Sequence, residues 1–161
     1  MSIVTGDASG GVRVTAPAGP SRTGMAILPA HGGSAASTLA RALTLPEVPD
    51  PEACAQLRMV VVTVRTTTPG FDQLLAVVAA LDVATPVVVA ATADAPLRAP
   101  AAVRGRARML QRSERQVALV NLPYEPAWRH APLDLQRPSK GYRRQLAKLS
   151  AAIHHYEGVQ A

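Results

Sequence analysis

Four short apolar runs alternate along the chain with segments in which apolar residues recur at helical spacing. The runs read MAILPA, LRMVVVTV, TPVVVAAT and QVALVNL. The second and third are almost continuously apolar and rich in valine, which is typical of strands that are buried on both faces. The segments with helical spacing cover 37–43, 71–81, 101–112 and 139–156. This alternation predicts the α/β class, with a small, mostly parallel sheet and crossover helices.

The last predicted helix is amphipathic and basic. At the helical rotation of about 100° per residue, its apolar side chains share one narrow arc. These are Tyr142, Leu146, Leu149 and Ile153. The opposite side carries Lys140, Arg143, Arg144 and Lys148. A helix of this kind can lie on an anionic membrane, but we interpret the narrow arc as the face that packs on the sheet, which leaves a solvated basic side.

Composition divides the chain into a tail and one domain. Residues 1–24 are rich in glycine, serine, threonine and proline and lack an apolar period, so they are predicted to form a mobile tail. Residues 25–157 carry the alternating elements and are predicted to form a single α/β domain. No apolar run is long enough to cross a membrane, and the first residues do not resemble a signal peptide. The single cysteine is typical of a reducing compartment. We therefore expect a cytoplasmic protein without a transmembrane segment.

Positive charge is concentrated in two segments. The net charge is +6, yet 98–115 carries six arginines against one glutamate and 137–148 carries five basic residues and no acid, so these segments hold +10 and the remainder −4. Segregated charge indicates a negatively charged partner. The predicted interaction patch consists of Arg104, Arg106, Arg108, Arg112, Arg115, Lys140, Arg143, Arg144 and Lys148. An acidic protein, non-specific nucleic acid and solvent alone remain as alternatives for what it contacts.

The irregular stretch after the fourth run contains two of the chain's few aromatic residues. Tyr124 and Trp128, together with Arg129, form a candidate recognition loop, and anchoring of this loop against the domain is the alternative. The chain has five aromatic residues in all. They do not form the series that would stack single-stranded bases.

A glycine-rich turn, HGGSAAST, connects the first strand to the first helix. The candidate phosphate loop comprises His31, Gly32, Gly33, Ser34, Ala35, Ala36, Ser37 and Thr38. In such loops glycines let backbone N–H groups converge, and the helix directs its positive end towards bound phosphate. A lysine then neutralises the phosphates and the next hydroxyl holds Mg²⁺. Here Ala36 replaces the lysine, while Ser37 stands where the metal-binding hydroxyl belongs.

This stretch resembles the deviant phosphate loop of ParA/MinD-type ATPases, whose pattern is K-G-G-x-G-K-[ST]-[ST]. The matching positions are Gly32, Gly33, Ser37 and Thr38. The departures are His31 on the first lysine, Ala35 on the third glycine and Ala36 on the second lysine. The resemblance extends to MVVVTVRTTTPGFDQLLAVVAAL, to LVNLPYEPAWRHA and to the last helix, over roughly residues 25–153. It implies a P-loop NTPase-like fold in a reduced form.

Loss of both lysines and of the family's metal-site aspartate removes most of the groups that stabilise phosphoryl transfer. Asp50 and Glu52 lie between prolines in a loop and not at a strand end, so neither is expected to bind the metal. With the resemblance, this predicts a non-catalytic interaction or scaffold module, without a cofactor, in DNA partition, conjugative transfer or secretion. The alternatives are a switch that binds nucleotide or phosphate weakly, a basic DNA-binding accessory protein, and an ordinary strand-to-helix turn.

Pro29 predicts where the first strand lies in the sheet. Proline cannot donate to a strand ladder and is confined mainly to edges, ends and bulges, and only residues 44–56 separate the first helix from the second run. The first strand is therefore predicted at a sheet edge. An open edge can pair with another chain, so we expect a homodimer or a protein partner there.

Overall fold

The computed structural model describes residues 22–126 and 138–159. Its strands are β1 (Met25–Pro29), β2 (Met59–Arg65), β3 (Val87–Thr92) and β4 (Val117–Leu122). Its helices are α1 (Ala36–Leu43), α2 (Thr68–Ala80), α3 (Ala101–Gln111) and α4 (Lys140–Val159), and Glu52–Cys54 forms a 3₁₀ turn. The strands are all parallel, in the order β1-β2-β3-β4. The prediction of an α/β fold with a parallel sheet is confirmed.

Residues 1–21 of the predicted tail lie outside the described residues. No helix in the described part of the chain is long and apolar enough to span a membrane.

The two central strands carry the core because helices cover both of their faces. Residues 59–64 and 87–91 are buried throughout. Val60 and Val62 face the layer formed by α2 and α3, whereas Val61 faces α1 and α4. Successive side chains of a strand point to opposite faces, so a strand covered on both sides needs an unbroken apolar run.

Capping residues set the start of the two longest helices. α2 begins at Thr68, three residues before the predicted boundary, because the hydroxyl of Thr67 accepts the N–H of Gly70 at 3.1 Å. Pro69 is tolerated in this first turn, where its missing N–H has no partner within the helix. α4 begins one residue after Ser139, whose hydroxyl accepts the N–H of Tyr142 at 3.2 Å.

The winding of the chain reverses between β1 and β2. α1 lies on one face of the sheet with α4, and α2 lies on the other with α3. With right-handed crossovers, two successive helices lie on opposite faces of the sheet only when the chain moves in opposite directions along the order of the strands. After α1 the chain runs beyond the outer edge of β1, where Glu47 forms a parallel bridge with Ile27, and Val48 and Leu57 then join the core on the α2 side. Such a topological switch point is where open α/β sheets bind ligands.

β1 is an edge strand of the described sheet, as Pro29 predicts. The N–H of Ala30 donates to the carbonyl of Thr63 in β2 at 2.9 Å. Because neighbouring residues of a strand point in opposite directions, residue 29 faces away from β2. The missing N–H of Pro29 therefore costs no hydrogen bond between the two strands.

The expectation that this edge is open is wrong at its centre. The N–H of Ile27 donates to the carbonyl of Pro46 at 2.8 Å, and the N–H of Val48 donates to the carbonyl of Ile27 at 2.8 Å. Residues 46–48, which we call the edge strap, occupy the place expected for a partner strand. The loop before β2 shields the edge, so a partner strand cannot pair with the centre of β1 unless the strap moves.

Candidate functional site

A pocket of about 400 Å³ lies at the switch point. Its lining residues are Pro29, residues 31–38, Glu47, Arg65, Thr92, Tyr124, Glu125 and Tyr142. These residues belong mainly to the carboxyl ends of the strands and to the loops that follow them. The volume is within the range of about 300–1,000 Å³ found for small-molecule sites. The predicted phosphate loop forms one wall of this pocket, and Tyr124 of the predicted recognition loop contributes to another.

The glycine loop has part of the backbone geometry of a phosphate cradle. Gly33 has a φ of 75° and Ala35 a φ of 69°, both in the left-handed region. Glycine adopts this conformation freely, whereas it costs alanine about 1–2 kcal/mol. α1 begins directly after Ala35 without a side-chain cap on its first N–H groups, and its first turn lines the pocket. The predicted turn and helix N-terminus are therefore both found at the pocket.

His31 ties the loop to β2. Its Nε2 accepts the backbone N–H of Arg65 at 3.2 Å, and its Nδ1 lies 2.9 Å from the carbonyl oxygen of Gly32. Both ring nitrogens therefore lie within hydrogen-bond distance of backbone atoms of the same chain. The position that corresponds to the first lysine of the resembled pattern thus holds a side chain that is hydrogen-bonded to β2.

Arg65, which sequence analysis did not single out, ends β2 and enters the pocket lining. Its Nε donates to the carbonyl of Gly33 at 2.5 Å, and one terminal nitrogen lies 2.9 Å from Oδ1 of Asp94. The guanidinium of Arg65, the kind of group that could bind phosphate, is thus already paired with the Gly33 carbonyl and the Asp94 carboxylate. An arginine after an apolar run is a weak sequence signal, and only the parallel sheet brings it to a loop 32 residues earlier.

Two hydroxyl groups of the loop also bind within the protein. Ser37 Oγ, placed where a metal-binding hydroxyl is expected, donates to Oε2 of Glu47 in the edge strap at 2.8 Å. The buried Ser34 shares a hydrogen bond of 2.8 Å with Thr63. Ala36, on the second lysine position, is only 6% exposed and packs in the core. Across residues 22–126 and 138–159, no group of three or more histidine, cysteine or acidic side chains is arranged to hold a metal ion.

The pocket is lined by more negative than positive charge. Glu47 and Glu125 contribute two carboxylates, against the single guanidinium of Arg65. Glu125 also accepts the N–H of Ser139 at 2.9 Å, which joins the end of β4 to the start of α4. Burial, and secondly the charge of Glu125, raises the pKa of Tyr142 far above its ordinary value, so this phenol stays neutral. Neither glutamate was among the predicted site residues: Glu47 lies in a proline-rich loop without a pattern, and Glu125 lies in LVNLPYEPAWRHA, where the prediction chose the aromatic residues and Arg129.

The fold divides the predicted basic patch. Three of its arginines bind the protein itself: Arg104 donates to the carbonyl of Ala99, Arg106 pairs with Asp72, and Arg115 donates to the carbonyls of Val78 and Leu81. The remaining members are exposed and form no ion pair with any described residue: Arg108, Arg112, Lys140, Arg143, Arg144 and Lys148. Because α3 and α4 cover opposite faces of the sheet, these cations form two groups.

Two residues of the predicted recognition loop, Trp128 and Arg129, lie outside the described residues.

Comparison of the chain with protein-family models, with curated proteins and with solved structures finds no match in any of the three. The resemblance to ParA/MinD-type ATPases therefore rests on the loop pattern and on the order of the elements.

Proposed function

We propose that this chain is a non-catalytic, reduced relative of ParA/MinD-type P-loop proteins that acts by binding other macromolecules. The observation that carries the proposal is the state of the glycine loop. His31, Gly33 and Ser37 are each hydrogen-bonded to another segment of the same chain. A loop that hydrolyses nucleotide needs its hydroxyl for the metal and cations around the transferred group, whereas here the hydroxyl of Ser37 donates to Glu47 and the loop contains no lysine.

The charge of the pocket supports the same proposal. Removal of one stabilising contact from an active site costs about 10²–10³-fold in rate, and here the positions of both family lysines hold His31 and Ala36. A phosphate about 4 Å from a carboxylate is repelled by about 4 kcal/mol at an effective dielectric constant of about 20. Glu47 and Glu125 would both act on a polyphosphate in this pocket.

A second candidate is a switch that binds nucleotide or phosphate weakly. It is favoured by the left-handed conformations of Gly33 and Ala35 beside the first turn of α1. A phosphate bound by the Arg65 guanidinium or by the Ser37 hydroxyl would have to displace the bonds that these groups make to Gly33, Asp94 and Glu47. A basic DNA-binding accessory is supported by the exposed cations of α3 and α4. The settings of DNA partition, conjugative transfer and secretion come from the resemblance alone.

Nucleotide assays test the proposal. We expect no hydrolysis of ATP or GTP with Mg²⁺ above a control without protein, and no rise in the melting temperature at millimolar nucleotide. Hydrolysis that disappears in Ser37→Ala would refute it. A saturable rise in melting temperature without hydrolysis would favour the switch, since a ligand that binds only the native state stabilises it by mass action.

A further inference from the structure

We propose that the outer edge of β4 is a docking site for an extended, acidic peptide segment of a partner protein, which adds a strand to the sheet. This inference rests on the proposed function as an interaction module, and it names the surface and the chemistry of the partner.

The two edges of the described sheet differ in how well they are covered. In β1 the three central residues are buried, and the edge strap bonds to Ile27. In β4 residues 117–120 are only half-buried and Asn121 is exposed, although the first four are apolar. An apolar edge strand that remains accessible is a template for pairing with another chain.

The backbone groups of β4 alternate between β3 and the outer edge. Val87 N–H donates to the carbonyl of Gln116, and Ala93 N–H donates to that of Leu122, both at 2.9 Å. Even-numbered residues of β4 therefore face β3. Residues 117, 119 and 121 direct their N–H and C=O groups outward, and no backbone hydrogen bond joins them to another described segment. They form the row of donors and acceptors that an added strand uses.

Basic helices pack against both faces of β4. α3 packs on β4 from one face of the sheet and α4 from the other. Arg108 of α3 lines a cleft of about 250 Å³ together with Leu119 and Asn121 of β4. α4 exposes Lys140, Arg143, Arg144 and Lys148. Residues 101–111 and 140–156 contain no aspartate or glutamate.

Charge complementarity selects an acidic segment as the occupant. An added strand directs alternate side chains to the two faces of the sheet, so acidic residues on either face meet cations of α3 or α4. A second copy of this chain would place like charges opposite each other. Residues 1–21 contain one acidic residue, Asp7, and one basic residue, Arg13, so this segment has no negative excess. Nucleic acid would satisfy the cations, and its phosphates accept bonds from N–H groups, but it does not supply the regular row of donors that the outward C=O groups of residues 117, 119 and 121 require.

The test uses the full chain and a synthetic peptide of about nine residues that alternates valine with glutamate. The same peptide with lysine in place of glutamate is the charge control. We expect saturable binding of the acidic peptide only. Asn121→Pro removes one outward N–H without breaking a bond to β3 and should weaken binding about five- to tenfold, as expected for one hydrogen bond. Asn121→Thr keeps the N–H and is the matched control.

Amide hydrogen exchange keeps the proposal testable if Asn121→Pro does not fold. In the free wild-type protein the amides of 117, 119 and 121 should exchange faster than those of 118 and 120, and the acidic peptide should slow them. Slow exchange in the free protein would mean that the chain already covers this edge and would overturn the proposal. The double variant Arg108→Glu, Arg144→Glu should abolish binding of the acidic peptide, whereas the double variant Arg108→Lys, Arg144→Lys should preserve it.

Several results would overturn the proposal. They include no binding of the acidic peptide, equal affinity for Asn121→Pro and Asn121→Thr, and a dimer in light scattering that Asn121→Pro dissociates. Binding of random-sequence duplex DNA without peptide binding would assign the cations to nucleic acid and also overturn it. Hydrolysis of ATP would refute the non-catalytic function while leaving the peptide result intact, so the two failures are distinguishable.

Discussion

Replacement of Gly70 by alanine tests how the glycine loop and the end of β2 are held against α2. Gly70 lies in the first turn of α2, where an added Cβ would be 2.8 Å from the carbonyl oxygen of Arg65, 2.8 Å from Oγ1 of Thr67 and 2.9 Å from Nε2 of His31. Alanine normally stabilises a helix over glycine by about 0.5–1 kcal/mol, but overpacking costs about 1–3 kcal/mol. Since one of these neighbours is backbone and cannot swing away, we expect net destabilisation of about 1–2 kcal/mol.

Gly105→Ala in α3 is the matched control, because nothing lies within 4 Å of its added Cβ. Here only the helix preference acts, so the free energy of unfolding should rise by about 0.5–1 kcal/mol. Urea denaturation followed by circular dichroism measures both changes. For a chain of this size, 1 kcal/mol corresponds to about 2–4 °C in the melting temperature, so thermal melts should shift in opposite directions.

Replacement by alanine is therefore expected to lower the free energy of unfolding at Gly70 and to raise it at Gly105. If Gly70→Ala folds with the wild-type spectrum and is stabilised as much as Gly105→Ala, the close approach of Gly70 to Arg65 and His31 is wrong. The attachment of the glycine loop to β2 would then need another explanation. Destabilisation by both substitutions would show that helix preference is not the deciding effect in α3.

Other predictions concern the charged clusters and the buried thiol. Arg115→Ala should lower the free energy of unfolding by about 1–2 kcal/mol, because the guanidinium of Arg115 bonds to the last carbonyls of α2. Replacement of the exposed Arg112 by alanine should change this free energy by less than about 0.5 kcal/mol. Equal urea midpoints for the two variants would contradict this prediction. Burial, and secondly the charge of Asp50, raises the pKa of the Cys54 thiol, so iodoacetamide should alkylate it slowly in the native protein and rapidly in urea. The neutral thiol stabilises the fold at pH values below the ordinary thiol pKa, and this contribution is lost as the pH rises through the raised pKa. A free energy of unfolding that stays constant over this alkaline range would contradict the raised pKa. Binding to random duplex DNA should be weak and fall with salt at a logarithmic slope near −0.9 per phosphate contact; salt-resistant, sequence-selective binding would refute this.

The strands and helices were predictable because their causes are local. Continuous valine runs predict β2 and β3, and apolar arcs at helical spacing predict α2 and the buried face of α4. In the apolar arc of α4, the buried residues are Tyr142, Leu149 and Ile153. Pro29 predicts the edge position of β1 because proline restricts its own backbone hydrogen bonding. The boundary errors at Thr68 and Lys140 arise where a single capping hydrogen bond decides the first helical residue.

The site was predictable only in part. The loop 31–38 is recognisable from its glycines, and the structure places it at a pocket. Its partners were not predictable, because Arg65 ends β2, Asp94 follows β3 and Glu47 lies in a proline-rich loop without a pattern. Hydrogen bonds from Arg65 to Gly33 and from Ser37 to Glu47 depend on distances between segments that no local preference specifies.

The sequence by itself determined the α/β alternation, the edge position of β1, the missing lysines and the two basic segments, since each follows from residue types and short-range spacing. Only the tertiary structure decided which edge is covered and which cations are exposed. The edge strap shields β1 and leaves β4 as the more accessible edge, and three of the predicted arginines are bonded to other groups of the protein. The physical reason is that parallel strands bring together residues about 30 positions apart, and the burial and pairing of a side chain depend on those distant neighbours.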